Sequence, residues 1–288
     1  MSNSYASSLL TQILEEQATT ILSDVLAPVS AFARQFSVDR YKPKATAQCK
    51  FVTGGATTMK NTGDFEDDTN TGSNVTNCEI APDLYTQSFQ VSNSDLNSGL
   101  RLADLVEKNV RVFGESLLDA IFTPITDSNF ATAVTRGDLA FTWGDMQTAR
   151  GALKKSPVKN AILDGEYMAR IGNAPVFYQR TGTQSGEGQG WRAFGWDGVY
   201  ECSRWSGAGA NIRGFFCGQT ALGVLAGLPL TGANATLESK VFTLPGLELS
   251  VQANTWFSLK TRSMFASYDL VLGTSLLDRT CGFLLKSA

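Results

Sequence analysis

The sequence predicts an α+β fold, and three observations predict it. Residues 4–37 and 95–122 repeat apolar side chains at helical spacing. Segments within 45–92, and the stretch from Lys240 onward, alternate like strands. Between them lies a mixed region with no internal repeat. With 288 residues, 43% of them hydrophobic, the chain can bury one large core or two modest ones.

In residues 4–37 the helical stripe is Leu10, Ile13, Leu14, Ile21, Val25, Leu26, Val29, Phe32 and Phe36, and Pro28 should end or kink it near Ala27. Such a helix packs either on its own domain or on another subunit. Residues 45–53 (ATAQCKFVT), Cys78–Ile80 and Leu84–Val91 read as strands. In the last, Leu84, Thr86, Ser88 and Gln90 alternate with Tyr85, Gln87, Phe89 and Val91. The intervening GGATTMKNTGDFEDDTNTGSN has no apolar period and many turn formers, which predicts an exposed β-arm with a polar tip.

Helix is expected again over 95–122. Leu102, Leu105, Val106, Val110, Phe113, Leu117, Ile121 and Phe122 form its stripe, and Pro124 stops it. It would run ~40 Å, long for a domain of this size. Glu107, Lys108, Arg111, Glu115 and Asp119 fall off the stripe. Thr142 and Asp145 make a capping box that opens a helix to about Lys155. AILDGEYMARI (161–171) reads as a buried strand running into a helix capped by Asp164. Residues 181–214 are Gly-rich, and an apolar helix to Leu228 is expected after Phe215–Phe216–Cys217. The alternating stretch from Lys240 predicts several sheet strands.

Composition excludes several function classes. There is no histidine, which removes every His-based triad and His metal ligand; carboxylate-only chemistry survives. The net charge is −3 and the one dense charge run is acidic, against a direct grip on a nucleic-acid backbone. Cys49, Cys78, Cys202, Cys217 and Cys281 form no CxxC pair and read as buried or semi-buried free thiols in a reducing cytoplasm. No apolar stretch reaches the ~20 residues a bilayer needs, so no membrane segment is expected. The N-terminus lacks a basic region, and Glu15 and Glu16 interrupt it, unlike a signal peptide. The sequons at Asn74 and Asn234 are then chance matches.

No catalytic template fits. Gly207-x-Gly209 lacks the remainder of a phosphate loop. The acids Asp64, Glu66, Asp67 and Asp68 suggest calcium, but an EF-hand loop would need Gly and Glu where Thr69 and Val75 stand. Lys60–Asn61 matches the residue types of Lys–Asn crosslinking, yet a surface lysine is the simpler meaning. No carboxylate pair is marked as an acid/base couple. Catalytic, cofactor and metal sites are all expected to be absent.

The order of parts resembles the Hong Kong 97-type major capsid proteins of tailed bacteriophages. DLYTQSFQVSNSDLNSGLRLADLVEKNVRVFGESLLDAIF (83–122) looks like the end of that family's extended loop entering its spine helix. AILDGEYMARI (161–171) and RGFFCGQTALGVLAGLP (213–229) resemble its axial-domain units, and residues 244–283 its closing peripheral-domain strands. The resemblance implies an N-terminal arm (1–44), an extended loop (45–92), a peripheral domain with spine helix (93–137 and 236–288) and an axial domain (138–235).

It further implies a shell of pentamers and hexamers around double-stranded DNA, assembled in the host bacterial cytoplasm. Portal and scaffolding proteins are expected partners, with a decoration protein a further candidate. Because the chain opens on the arm helix, any scaffold is expected to be separate or already removed. The loop of residues 54–76 is expected over a neighbouring subunit, with Lys60, Asp64, Glu66, Asp67, Asp68, Arg101, Lys108 and Arg111 as candidate subunit contacts. The N-terminal stripe is expected to be largely uncovered in an isolated subunit. Rival readings are a cellular nanocompartment shell of the same fold, a tail-tube or other virion protein, and a carboxylate-dependent hydrolase.

Overall fold

The computed structural model describes residues 3–41, 46–53, 74–91, 102–154, 156–172, 191–193, 195–205, 211–229, 238–247, 249–258, 260–261 and 263–288. The N-terminal helix α1 spans Asn3–Val25, and a single turn, α2 (Val29–Phe32), follows Pro28. The chain then extends as β1 (Ala33–Tyr41), so the expected helix ends earlier than its apolar spacing suggested. β1 runs parallel to β10 (Leu222–Pro229), and those ladder bonds replace the helical ones at Phe36.

Strands β2 (Ala47–Thr53) and β3 (Asn74–Ile80) form an antiparallel hairpin, and β4 (Asp83–Val91) follows after Pro82. Helix α3 (Leu102–Phe122) buries Val106, Val110, Phe113, Leu117, Leu118, Ile121 and Phe122, essentially the expected stripe. Its described length is about 31 Å. β5 (Ala131–Thr135), α4 (Trp143–Ala152), β6 (Asn160–Leu163) and α5 (Gly165–Gly172) come next. They are followed by β7 (Trp191–Ala193), β8 (Trp196–Glu201) and β9 (Ile212–Cys217). The last strands are β11 (Glu238–Thr243), β12 (Ser250–Ser258), β13 (Ser263–Leu276) and β14 (Gly282–Lys286).

These strands make two six-stranded sheets. The first runs β1-β10-β13-β12-β11, with β4 also on β13. Because β4 covers β13 from Met264 to Leu272, β12 and β10 follow one another along the opposite edge. On one face Val251, Ala253, Ala266, Tyr268, Leu270 and Leu272 meet Leu14, Leu22, Val110, Phe113 and Leu117 from α1 and α3. On the other, Gln252, Asn254, Ser267 and Asp269 form a hydrogen-bonded polar network. This alternation is the period-2 signature of a strand with two unlike faces.

The second sheet runs β5-β14-β9-β6-β8-β7, and its central strands β6, β9 and β14 are buried on both sides. Ile162, Phe215 and Leu284 join the large core, while their neighbours Leu163, Phe216 and Leu285 face Met146, Leu153, Tyr167 and Met168 of the α4–α5 layer. The chain crosses between sheets late: β9 belongs to the second, β10 to the first and β14 to the second.

Two sequence expectations are corrected. Residues 222–229 are strand β10, not helix. Leu222, Val224 and Ala226 enter the large core while Leu225 packs against the hairpin, so both faces are apolar and no period remains to distinguish strand from helix. The described part of the expected N-terminal stripe is not left uncovered: Leu14, Leu26, Val29 and Phe32 are buried within this one chain, and Ile21 and Val25 are half-buried. Ala18 and Leu22, outside the expected stripe, complete the buried face; the side chains of Leu10 and Ile13 lie outside the described residues. Gly114 permits this, since a Cβ there would lie 3.0 Å from Leu22 Cδ2 and 3.2 Å from Val25 Cγ1. Tyr268 adds a buried hydrogen bond from its hydroxyl to the Leu14 carbonyl, 3.1 Å.

Candidate subunit-contact surfaces

The outward side of α3 is the sequence-expected contact surface that the structure describes. Asp104, Glu107, Lys108, Arg111 and Val112 are exposed there, opposite the buried stripe. Asp104–Lys108 and Glu107–Arg111 have the spacing of helical ion pairs. Even so, neither Lys108 nor Arg111 forms an ion pair with another described residue. Lys60, Asp64, Glu66, Asp67, Asp68 and Arg101 lie outside the described residues, as does most of the 54–76 loop.

Further along α3, Glu115 and Asp119 have an internal use that their place off the apolar stripe did not disclose. Arg204, just after β8, donates Nε and NH2 to the two Asp119 oxygens at 3.1 and 2.7 Å, and NH1 to Glu115 Oε2 at 2.8 Å. The Asp119 hydrogen bond, helped by both carboxylates, raises the Arg204 pKa further and keeps it charged. Beside it Trp205 stacks on Phe122, with ring centroids 5.0 Å apart. A bidentate arginine and a stacked ring thus fasten the end of α3 to the loop leaving the second sheet. The residue separation between Arg204 and Asp119 carries no local signal.

The expected capping box is present. Asp145 Oδ2 accepts from the Thr142 backbone N–H and hydroxyl, each at 2.9 Å, and Arg136 Nε approaches Oδ1 at 3.3 Å. Burial pushes the Asp145 carboxyl up, but these three donors outweigh it and hold it below the usual carboxylate range. Asp164 instead accepts from Arg213 at 3.3 Å, tying the start of α5 to β9.

The cysteines are not activated as nucleophiles. All five cysteines are buried free thiols. Burial pushes the Cys202 thiol up to about 11 and the Cys217 thiol well above its ordinary value, the reverse of what thiolate chemistry requires. Among the described residues no group of three or more Cys, Asp or Glu could hold a metal ion. None of their helices is long and apolar enough to cross a membrane.

No protein-family model matches the chain, and no curated protein matches it in sequence. Solved structures match it in fold. The head structure of Helicobacter pylori bacteriophage KHP40 gives a TM-score of 0.57 at 12% identity, covering 93% of this chain and 90% of that one. The capsid structure of the cyanophage P-SCSP1u gives 0.52 at 12% identity, covering 90% and 87%. A virus-like particle from Pyrococcus furiosus gives 0.53 at 11% identity, covering 97% and 98%. The chain therefore has the mixed α and β fold of these capsid and particle subunits.

Proposed function

We propose that this chain is the major capsid protein of a tailed bacteriophage, a structural subunit that self-assembles into the icosahedral shell around double-stranded DNA. The observation that carries the reading is the fold match to phage head and capsid structures over nine-tenths of the chain. Its architecture suits a thin wall: two long helices, a hairpin outside the main sheets, and strand edges at the rims. Many weak edge contacts close a shell together, because linked contacts multiply.

In this reading residues 1–44 are the arm, 45–92 the extended loop, 93–137 with 236–288 the peripheral domain, and 138–235 the axial domain. Pentamers and hexamers form in the host cytoplasm with portal and scaffolding proteins, and a decoration protein is a candidate outer partner. The exposed cations Lys108 and Arg111, with Arg101, receive the acidic loop residues Asp64, Glu66, Asp67 and Asp68 of a neighbour; Lys60 lies in the same loop. Exposed pairs contribute only about 0–1 kcal/mol each, but a shell repeats every one of them.

A second reading, a cellular nanocompartment shell, draws support from the nearly full-length match to the Pyrococcus particle. Electron microscopy of the full-length chain expressed with its neighbouring genes tests both. Closed shells filled with DNA are expected. Shells holding a cargo enzyme favour the second reading, and tubes or single subunits refute both.

A further inference from the structure

Cys49 of β2 and Cys78 of β3 are direct register partners in the antiparallel hairpin. Residues opposed in this way point to the same face with Cα atoms about 4.5–5.5 Å apart. A disulfide spans about 4.4–6.8 Å between Cα atoms. Both thiols are buried in one seam with Ile80 and Leu225, and Cys78 Sγ is oriented there by donating to the Leu276 carbonyl at 3.8 Å. The remaining thiols differ. Cys217 donates to the Ala31 carbonyl and Cys281 to Asp278, and Cys217 faces Asn160 and Gly282 across its strand pairs, not a cysteine.

We propose that Cys49 and Cys78 form a reversible cross-strand disulfide that staples the hairpin at its base. Hydrogen peroxide is a sufficient oxidant and small enough to enter the seam. One thiolate attacks the peroxide, the O–O bond breaks, and a sulfenic acid and hydroxide result. The second thiolate attacks the sulfenic sulfur, the S–S bond forms and a second hydroxide leaves. The two thiol protons convert both hydroxides to water, and two electrons have passed from the sulfurs to the peroxide.

Burial, together with the neighbouring Cys78, pushes the Cys49 thiol up, so the reaction is slow at neutral pH and quickens as pH rises. A reducing cytoplasm keeps the pair open, and oxidising surroundings close it. That the change coincides with particle release rests on the capsid reading; the bond itself does not.

The test uses the full-length wild-type protein, treated with hydrogen peroxide in mildly alkaline buffer, alkylated, digested without reductant and mapped by mass spectrometry. The expected product is a Cys49–Cys78 linked peptide within one chain, two hydrogens lighter and reversed by dithiothreitol. The melting temperature should rise by about 5 °C, and Cys49→Ala and Cys78→Ala should each abolish the rise. Free thiols at both positions after treatment of folded protein, or cysteines oxidised singly without a link, overturn the proposal. Because mapping needs no shells, a chain that gives the link but never assembles refutes the capsid reading alone.

Discussion

The α1–α3 layer and the β2–β3 hairpin both lie against the first sheet, yet they are held by different means. The helices press two long apolar stripes onto it: Leu14, Ala18, Leu22 and Leu26 from α1, with Val106, Val110, Phe113 and Leu117 from α3. Tyr268 anchors this region by burying its ring against Phe113 and Phe89 and its hydroxyl on Leu14. Among its described side chains the hairpin contributes Cys49, Cys78 and Ile80 to a small cluster with Leu225, flanked by Phe36, Ala47 and Leu277. Apolar burial stabilises roughly in proportion to area, so among the described residues the helices contribute more to the fold than the root of the hairpin does.

The strongest test of the difference is Tyr268→Ala, which opens a cavity in the helix-covered core and should cost about 3–5 kcal/mol. Urea unfolding followed by circular dichroism measures it; a loss below about 1 kcal/mol would mean that the helices do not carry the fold.

A smaller and more local effect is expected at Gly273, where a Cβ would lie 2.7 Å from Ile80 Cγ2 and 2.8 Å from Pro82 Cα. Gly273→Val should push the hairpin root off β13 at a cost of about 1–3 kcal/mol. Limited proteolysis should then cut near 46–53 and 74–82 while the helical body survives. Uniform loss of both regions would show that they unfold as one unit.

Asp145→Asn probes the second sheet's helical layer and should cost about 1 kcal/mol through the lost cap. Since the folded carboxyl titrates below an ordinary aspartate, its contribution is fully present above the unfolded value of about 3.9 and is lost as pH falls through the lower folded value. Wild type and variant should therefore converge in strong acid, and a gap that persists there would point to packing instead of charge.

The smallest effect on stability belongs to Lys108→Glu with Arg111→Glu, within about 0.5 kcal/mol, because both side chains stand exposed without an ion-pair partner among the described residues. Particle yield by microscopy should nonetheless fall, and wild-type yields across a range of salt would remove these cations from the contact surface.

Periodicity made the large elements legible. The α3 stripe, the alternation of β4 and the Thr142–Asp145 box each place unlike environments at fixed short spacing, and local chain geometry turns that spacing into structure. The order of helices, hairpin and strands was enough to suggest the capsid-type fold. Three things required the third dimension. Strand β10 is apolar on both faces, so its sequence carries no period, and only its place between β1 and β13 makes it a strand. The α1 stripe demanded a cover, but Gly114 and Tyr268, far off in sequence, decide that the cover is the chain's own core. The pairing of Cys49 with Cys78, and of Arg204 with Asp119, depends on strand register and sheet crossing; contacts between distant residues follow from topology and leave no trace in the spacing of neighbours.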